Sequence, residues 1–318
     1  MHGHGHGHGH SHGHVDAGRA ADARRLAIAL ALILGLMAAE VVAGILANSI
    51  ALLSDAAHML TDAGALVLSL IVVRLAARPA RGDLTFGLRR TEILSAQANG
   101  LTLLVLAGLI VYGAVGRLID PPHANGGVMV AVALAGVVVN LLAVWQLAGA
   151  NRQSLNVEGA FQHVATDLAA FVATAIAGAV ILASGFVRAD GIAALVVAAI
   201  MLRSAVGLLR ASGRVLLEAA PPGTSVEAVG RAMAEHPGVV DVHDLHVWEV
   251  TSGFPSLSAH VLCGRGDDCH AVRRDLERML AERFEIVHTT LQVDHAQGRT
   301  SDVALGEATA RRTPVERR

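Results

Sequence analysis

Two copies of one pattern, His-x-x-x-Asp, lie in hydrophobic stretches of the sequence and are formed by His58 with Asp62 and by His163 with Asp167. On an α-helix, a spacing of four residues places both side chains on one face, so each pair offers one nitrogen and one oxygen to a single ion. Two such helices together supply two imidazoles and two carboxylates. This four-ligand set suits a tetrahedral divalent metal ion, above all Zn²⁺.

Both pairs lie in apolar stretches, where ionisable side chains are costly and usually mark a bound ion or a transport path. Two carboxylates carry a charge of −2 that one divalent cation neutralises, and neutral imidazoles complete the coordination without adding charge. Nitrogen ligands disfavour Mg²⁺ and Ca²⁺, and Cu²⁺ prefers tetragonal geometry. Co²⁺ and Cd²⁺ are the alternatives to Zn²⁺. The alternative without a metal is that each pair forms a hydrogen bond between helices.

Imidazole titrates near neutral pH, so protons and metal compete for the same nitrogens. If the site faces each side of a membrane in turn, this competition produces metal/proton antiport. A catalytic zinc would keep one position open for water, and the sequence contains no His-Glu-x-x-His motif. We therefore expect a transporter and no enzymatic activity. The alternatives from other classes are a membrane metalloenzyme and a membrane-bound metal sensor.

The composition, 53% hydrophobic and only 16% charged, is typical of an integral membrane protein. Six apolar spans, most of them reaching the ~20 residues that a membrane-spanning helix needs, predict an all-α transmembrane domain. The spans cover residues 26–47, 50–73, 93–116, 127–148, 159–183 and 191–209. Basic residues cluster before the first span, in the second connection and after the last span, which predicts that both termini are cytoplasmic. We expect a multi-pass protein of the bacterial inner (plasma) membrane that binds no nucleic acid.

After about Pro221 the chain becomes polar, and the order helix, strand, strand, helix, strand predicts a small α+β domain. Thr224 is the predicted N-cap of its first helix. The two cysteines, Cys263 and Cys269, show neither a zinc-knuckle spacing nor a disulfide framework. The predicted organisation has four parts: a disordered His/Gly-rich tail at 1–18, the transmembrane domain at 19–212, the cytoplasmic domain at 213–296 and a disordered tail at 297–318.

The stretch from Asn48 to Asp62 closely resembles the second-span motif of the cation diffusion facilitator family. The segment from Phe86 to Glu92 and the His163–Asp167 pair resemble further family motifs, and the resemblance covers about residues 20–296. The subgroup with His-x-x-x-Asp in both helices is the zinc-transporting one. This resemblance implies a homodimeric, proton-driven exporter that moves Zn²⁺ out of the cytoplasm, with a ferredoxin-like cytoplasmic domain.

The resemblance also implies Zn²⁺ ligands in the cytoplasmic domain, at His243, His260, His270 and Asp294. Gln292 stands where some relatives have histidine, which leaves one of the paired sites short of a ligand. Solvated histidines on a sheet face are the alternative. The second connection, residues 76–90, contains no histidine and keeps only Asp83, so we expect the extra metal site of some relatives to be absent or very weak.

Three other polar residues in or near the spans are candidates for orienting a ligand or relaying protons: Asp55, Glu40 and Asn48. Asp55 lies one turn before His58 on nearly the same helix face. Asn48, like Asn99 and Asn140, could instead form hydrogen bonds across helices.

Overall fold

The computed structural model describes residues 12–46, 50–121 and 126–296, without the side chains of 12–19, 43, 44, 46, 50–58 and 61. Six long helices come first: α1 His12–Leu46, α2 Ile50–Ala76, α3 Thr91–Ile119, α4 Gly126–Ala148, α5 Leu155–Ser184 and α6 Ala189–Leu216. Helices satisfy their own backbone hydrogen bonds, as lipid requires. Within the described residues, α1 and α3 to α6 supply five segments long and apolar enough to cross a membrane. The predicted helical membrane domain is confirmed at this level.

The first helix starts earlier than the sequence predicted. α1 begins at His12, so part of the segment expected to be a disordered tail, residues 1–18, is helical. Alanine and arginine, which are strong helix formers, dominate residues 17–25 and extend the helix beyond its apolar part. Residues 1–11 and the predicted C-terminal tail, 297–318, lie outside the described residues.

Small residues bring α4 and α5 close together. A Cβ atom on Gly126 would lie 2.7 Å from the carbonyl oxygen of Gly178, and a Cβ atom on Gly136 would overlap the ring of Phe171. Such close approach is how membrane helices pack when lipid is as apolar as the side chains. A buried cluster then joins four helices through α1 (Leu26, Ala29, Ile33, Leu36), α2 (Met59, Ala63, Leu66, Val73), α4 (Ala143, Leu147) and α5 (Ala160, Val164).

Ser69 of α2 links three helices through buried polar groups. Asn156 of α5 donates a hydrogen bond from Nδ2 to the Ser69 carbonyl oxygen at 2.9 Å, and Asn99 of α3 donates to Ser69 Oγ at 3.5 Å. The interpretation of Asn99 as a residue that bonds across helices is confirmed. For Asn140 it stays a prediction; among the described residues, Asn140 Nδ2 donates to Gly136 O of its own helix at 3.1 Å.

The C-terminal part has the predicted element order. It comprises α7 Val226–Ala234, β1 Val239–Glu249, β2 Pro255–Cys263, α8 Cys269–Phe284 and β3 His288–His295. β1 pairs antiparallel with β2, and β3 pairs parallel with β2, which makes a mixed sheet with β2 in the centre. Leu257, Ala259 and Val261 of β2 are buried, while the residues between them are partly exposed. One face of the sheet therefore packs against the core and the other carries polar side chains.

The N-cap of α7 is Ser225, so the prediction of Thr224 was wrong by one residue. Thr224 N donates instead to Pro221 O at 3.1 Å and closes a turn, with Gly223 at a φ of 87°. Ser225 Oγ accepts a hydrogen bond from Ala228 N at 3.2 Å. The backbone N–H of Glu227 and the Ser225 hydroxyl hold the pKa of the Glu227 carboxyl below its ordinary value.

The structure also corrects the expectation for the cysteines, because Cys263 and Cys269 are joined in a disulfide. Their Cα atoms lie 6.2 Å apart, since the end of β2 and the start of α8 meet across a short loop. This proximity comes from the packing of a helix on a sheet, which the spacing of two cysteines does not reveal.

The turn between β1 and β2 contacts the helical domain. Thr251 Oγ1 lies 3.2 Å from both Arg89 O and Glu92 Oε2, and Leu155 N donates to Ser252 Oγ at 3.1 Å. This turn therefore joins the C-terminal domain to the first residues of α3 and α5.

We predict that Leu276→Ala destabilises the C-terminal domain by about 2–5 kcal/mol, because Leu276 of α8 is fully buried in the core and truncation leaves a cavity. The control is Val287→Ala, which changes a side chain that is 75% exposed. Hydrogen exchange of the β2 amides in the full chain measures the difference. Equal protection in the two variants would contradict this account of the core.

Candidate metal centre

Helices α2 and α5 bring Asp62, His163 and Asp167 together inside the helical domain. His163 Nε2 lies 2.9 Å from Asp62 Oδ1 and 4.0 Å from Asp167 Oδ2. One ligand atom from each residue lies within 4.8 Å of the other two. Asp62 and His163 are buried, and the Asp167 side chain is 12% exposed. Three of the four residues predicted from the two motifs are thus neighbours across two helices.

The fourth residue, His58, lies on α2 one turn before Asp62, but its side chain is outside the described residues. The helical spacing places His58 and Asp62 on one face of α2, as the sequence predicted. The role of His58 as the fourth ligand stays a prediction.

The ring of His163 has a defined orientation. Nε2 points towards the carboxylate of Asp62, whereas Nδ1 is buried without a hydrogen-bond partner among the described residues. A hydrogen on Nε2 donates to Asp62, and a metal ion bound to Nε2 would lie beside the same carboxylate oxygens. The geometry therefore makes a proton and a cation alternatives at one atom.

A cavity of about 110 Å³ adjoins the two carboxylates. A water molecule needs about 10–15 Å³ of such space, so the cavity is large enough for several. It is lined by Ile33, Met59, Asp62, Asn140, Asp167, Ala170, Phe171 and Thr174. The sequence analysis missed the lining role of the α5 residues that follow Asp167. Their positions, three, four and seven residues after Asp167, put them on the same helix face, and this spacing could have identified them.

The structure describes the three other candidate residues of the membrane domain to different extents. Glu40 is buried on α1 with 6% exposure, two turns beyond the cavity residue Ile33. Asp55 lies on α2, but its side chain is outside the described residues, and Asn48 lies outside them altogether.

In the C-terminal domain, the rings of His243 and His260 are adjacent, with centroids 5.4 Å apart. His270 and Asp294 have other neighbours: Asp268 Oδ1 accepts from the His270 backbone N–H at 2.9 Å, and Asp294 Oδ2 accepts from Gln292 Nε2 at the same distance. Of the four predicted ligands, no three bring ligand atoms within 4.8 Å of one another in the part of the chain that the structure describes.

Asp244 is a neighbour of these histidines that the sequence analysis missed. Its carboxylate lies 3.0 Å from His246 Nε2 and 4.0 Å from His260 Nε2. The hydrogen bond to His246, followed by the charges of His246, His260 and His243, lowers the pKa of the Asp244 carboxyl. The cause is an irregularity of β1 between His243 and His246, with a φ of 53° at Asp244, which redirects the side chain. A strictly alternating strand gives no signal of it.

A membrane-spanning helical domain with a buried cluster of carboxylate and imidazole groups, followed by a small mixed-sheet domain, is the architecture that the sequence predicted for a cation transporter. Residues 26–217 match the family described as the cation efflux transmembrane domain. Residues 221–296 match the cytoplasmic domain of cation efflux proteins. The chain belongs to the cation diffusion facilitator family, as its motifs indicated.

Relatives match nearly the whole chain. The metal cation efflux system protein CzcD of Cupriavidus metallidurans is 40% identical, over 88% of this chain and 89% of the relative. The zinc transporter ZitB of Escherichia coli is 38% identical, over 90% and 92% respectively. The cadmium, cobalt and zinc/H(+)-K(+) antiporter of Bacillus subtilis is 35% identical, over 86% and 89%.

We predict that Asp62→Asn weakens Zn²⁺ binding by the helical domain at least about 100-fold. Loss of a group that only orients a metal ligand already lowers metal affinity about 10–100-fold, and here a charged ligand itself is lost. Asp190→Asn is the matched control, since Asp190 lies in the first turn of α6 and pairs with Arg117 at 2.7 Å. Isothermal titration of the purified full chain measures the affinity. An Asp62→Asn variant that keeps every Zn²⁺ site of the parent would contradict the assignment.

Proposed function

We propose that the protein is a Zn²⁺/proton antiporter that exports Zn²⁺ from the cytoplasm by alternating access. The transported ion is held by His58, Asp62, His163 and Asp167. The observation that carries this proposal is the position of His163 Nε2 beside Asp62 and Asp167, inside a membrane domain of the cation efflux family.

The donor set favours Zn²⁺ as the ion. Two carboxylates balance one divalent charge, and two imidazole nitrogens suit the tetrahedral geometry of Zn²⁺ better than the all-oxygen shells of Mg²⁺ or Ca²⁺. The name of the E. coli relative also specifies zinc. Co²⁺ and Cd²⁺ are the second candidates, because the B. subtilis relative is named for all three ions.

Proton coupling follows from competition at the imidazoles. With the site open to the cytoplasm, Zn²⁺ displaces the protons of the two histidines; with the site open to the other side, protons displace Zn²⁺. Asp62 and Asp167 favour a positive charge in either state, so the site exchanges one kind of cation for another. The antiporter name of the B. subtilis relative agrees with this scheme.

The orientation and assembly that we propose are those expected from the sequence. α2 also crosses the membrane, which brings the number of spans to six. Both termini are cytoplasmic. The protein is a homodimer of the inner membrane, in which the ferredoxin-like C-terminal domains of the two copies pair. The match of residues 221–296 to a cytoplasmic domain supports this orientation. We propose that regulatory Zn²⁺ binds to the C-terminal domain at His243, His260, His270, Asp294 and Asp244. We propose that three residues relay protons to the membrane site or orient its ligands: Asp55, Glu40 and Asn48.

Reconstituted proteoliposomes test the transport proposal. With an imposed pH gradient, the parent should move Zn²⁺ against the proton flow, and Asp62→Asn and Asp167→Asn should each lower the rate at least about 100-fold, since each removes a charged ligand that the ion needs. Asp190→Asn should transport at the parental rate. A zinc-sensitive dye inside the vesicles reports the flux.

Two outcomes would contradict the proposal. Zinc flux that is unchanged in Asp62→Asn would remove the membrane site from the path, and parental flux that is independent of the pH gradient would remove the proton coupling. Excess Co²⁺ or Cd²⁺ in the same assay measures selectivity, because an ion that uses the same site slows Zn²⁺ uptake.

A further inference from the structure

Three elements of the C-terminal domain converge on a group of sulfur and nitrogen atoms apart from the sites discussed above. β2 ends at Cys263 and β3 ends at His295, and these two residues are paired in the parallel register. Cys269 is the first residue of α8. A backbone hydrogen bond joins the ends of β2 and β3, since Ala296 N donates to Cys263 O at 2.8 Å.

The sulfur-to-nitrogen distances match those around one metal ion, while the two sulfur atoms are bonded to each other and separate only on reduction. His295 Nε2, the nitrogen free to bind a metal, lies 3.6 Å from Cys269 Sγ. The other ring nitrogen, Nδ1, lies 3.4 Å from Cys269 Sγ and 3.7 Å from Cys263 Sγ, so the ring is adjacent to both sulfurs. A tetrahedral Zn²⁺ with bonds of about 2.3 Å to sulfur and about 2.0 Å to nitrogen separates a sulfur ligand from a nitrogen ligand by about 3.5 Å. One ligand atom from each residue lies within 4.8 Å of the others.

The imidazole has the support that metal-binding histidines usually have. His295 Nδ1 lies 3.1 Å from Gly264 O, so the tautomer with hydrogen on Nδ1 donates to this carbonyl. That hydrogen bond orients the ring and leaves Nε2 without a proton, ready for a metal. Cys269, at the start of a helix, is also in a place that favours a negative side chain.

We propose that the reduced C-terminal domain binds a divalent transition-metal ion, Zn²⁺ or Cd²⁺, through the thiolates of Cys263 and Cys269 and the imidazole of His295. Two thiolates neutralise the charge of the ion, and their softness selects Zn²⁺ or Cd²⁺ over Mg²⁺ and Ca²⁺. Cys263 is fully buried, whereas Cys269 and His295 are solvent-accessible, so the fourth position faces water.

Binding requires that the disulfide is first reduced. Two thiols of a reductant give up two electrons and become a disulfide, and Cys263 and Cys269 become thiols; both thiol protons leave when the ion binds. Thiol reductants of this class maintain free thiols in the cytosol, where the proposed orientation places this domain.

This site is separate from the histidines His243 and His260. His260 belongs to the polar face of β2, and Cys263 follows it by three residues, so the cysteine belongs to the face that packs on the core. The proposal does not depend on transport, and failure of the flux experiment would leave it unaffected.

Cobalt spectroscopy of the full chain tests the site. The sequence has two cysteines, so a thiolate-to-cobalt charge-transfer band reports on this site whatever other histidines bind. After reduction with a phosphine and removal of oxygen, Co²⁺ should produce the band, saturating at one ion per chain. Zn²⁺ and Cd²⁺ should then abolish it, because they bind thiolates more tightly than Co²⁺.

Cys269→Ser should eliminate the two-thiolate band, and His295→Ala should weaken Co²⁺ affinity at least about tenfold. His288→Ala, the same change at the other end of β3, should leave the band and the affinity as in the parent. The chief variants change accessible residues, which limits damage to the fold. Three results would each overturn the proposal. The parent could give no band although a thiol assay counts two free thiols, the band could saturate at one ion per two chains, or His295→Ala could bind Co²⁺ as the parent does.

Discussion

The central constraint on the structure is the free-energy cost of burying two carboxylates and an imidazole inside an apolar helical domain. Asp62 and His163 are buried, and both Asp62 and Asp167 lie within 4.0 Å of one ring nitrogen. Buried charges of one sign are expensive, so the group requires positive charge at its centre, supplied by a proton or by a metal ion. This requirement links the chemistry of the site to the exchange of cations.

The helical packing keeps these groups together. α2 and α5 are joined by the bond from Asn156 to Ser69, and α4 approaches α5 closely at Gly126 and Gly178. α5 begins at Leu155, whose backbone N–H bonds to Ser252 of the C-terminal domain. The helix that carries His163 and Asp167 therefore extends from the buried cluster of Asp62, His163 and Asp167 to the β1–β2 turn.

Much of the site could be predicted from the sequence because helical periodicity is strict. The spacing of four residues predicted Asp62, His163 and Asp167 as ligands, and charge balance predicted that they share one site; the three side chains do lie together. The same periodicity identifies Phe171 and Thr174 as cavity residues. In contrast, Asp244 turns towards the histidines through a strand irregularity, and Cys263, Cys269 and His295 meet through packing between a helix and two strands. Contacts between separate elements depend on tertiary structure, and no periodic pattern in the local sequence indicates them.

The most direct test of the central claim is the number of protons that the protein releases when Zn²⁺ binds. Titration calorimetry of the full chain in buffers with different ionisation enthalpies measures this number at several pH values. The account predicts that the parent releases protons as Zn²⁺ binds, that the number falls as the pH rises above the imidazole range, and that His163→Gln releases fewer than the parent under the same conditions. An equal release from the parent and His163→Gln at every pH would contradict the claim that proton and metal compete at this nitrogen.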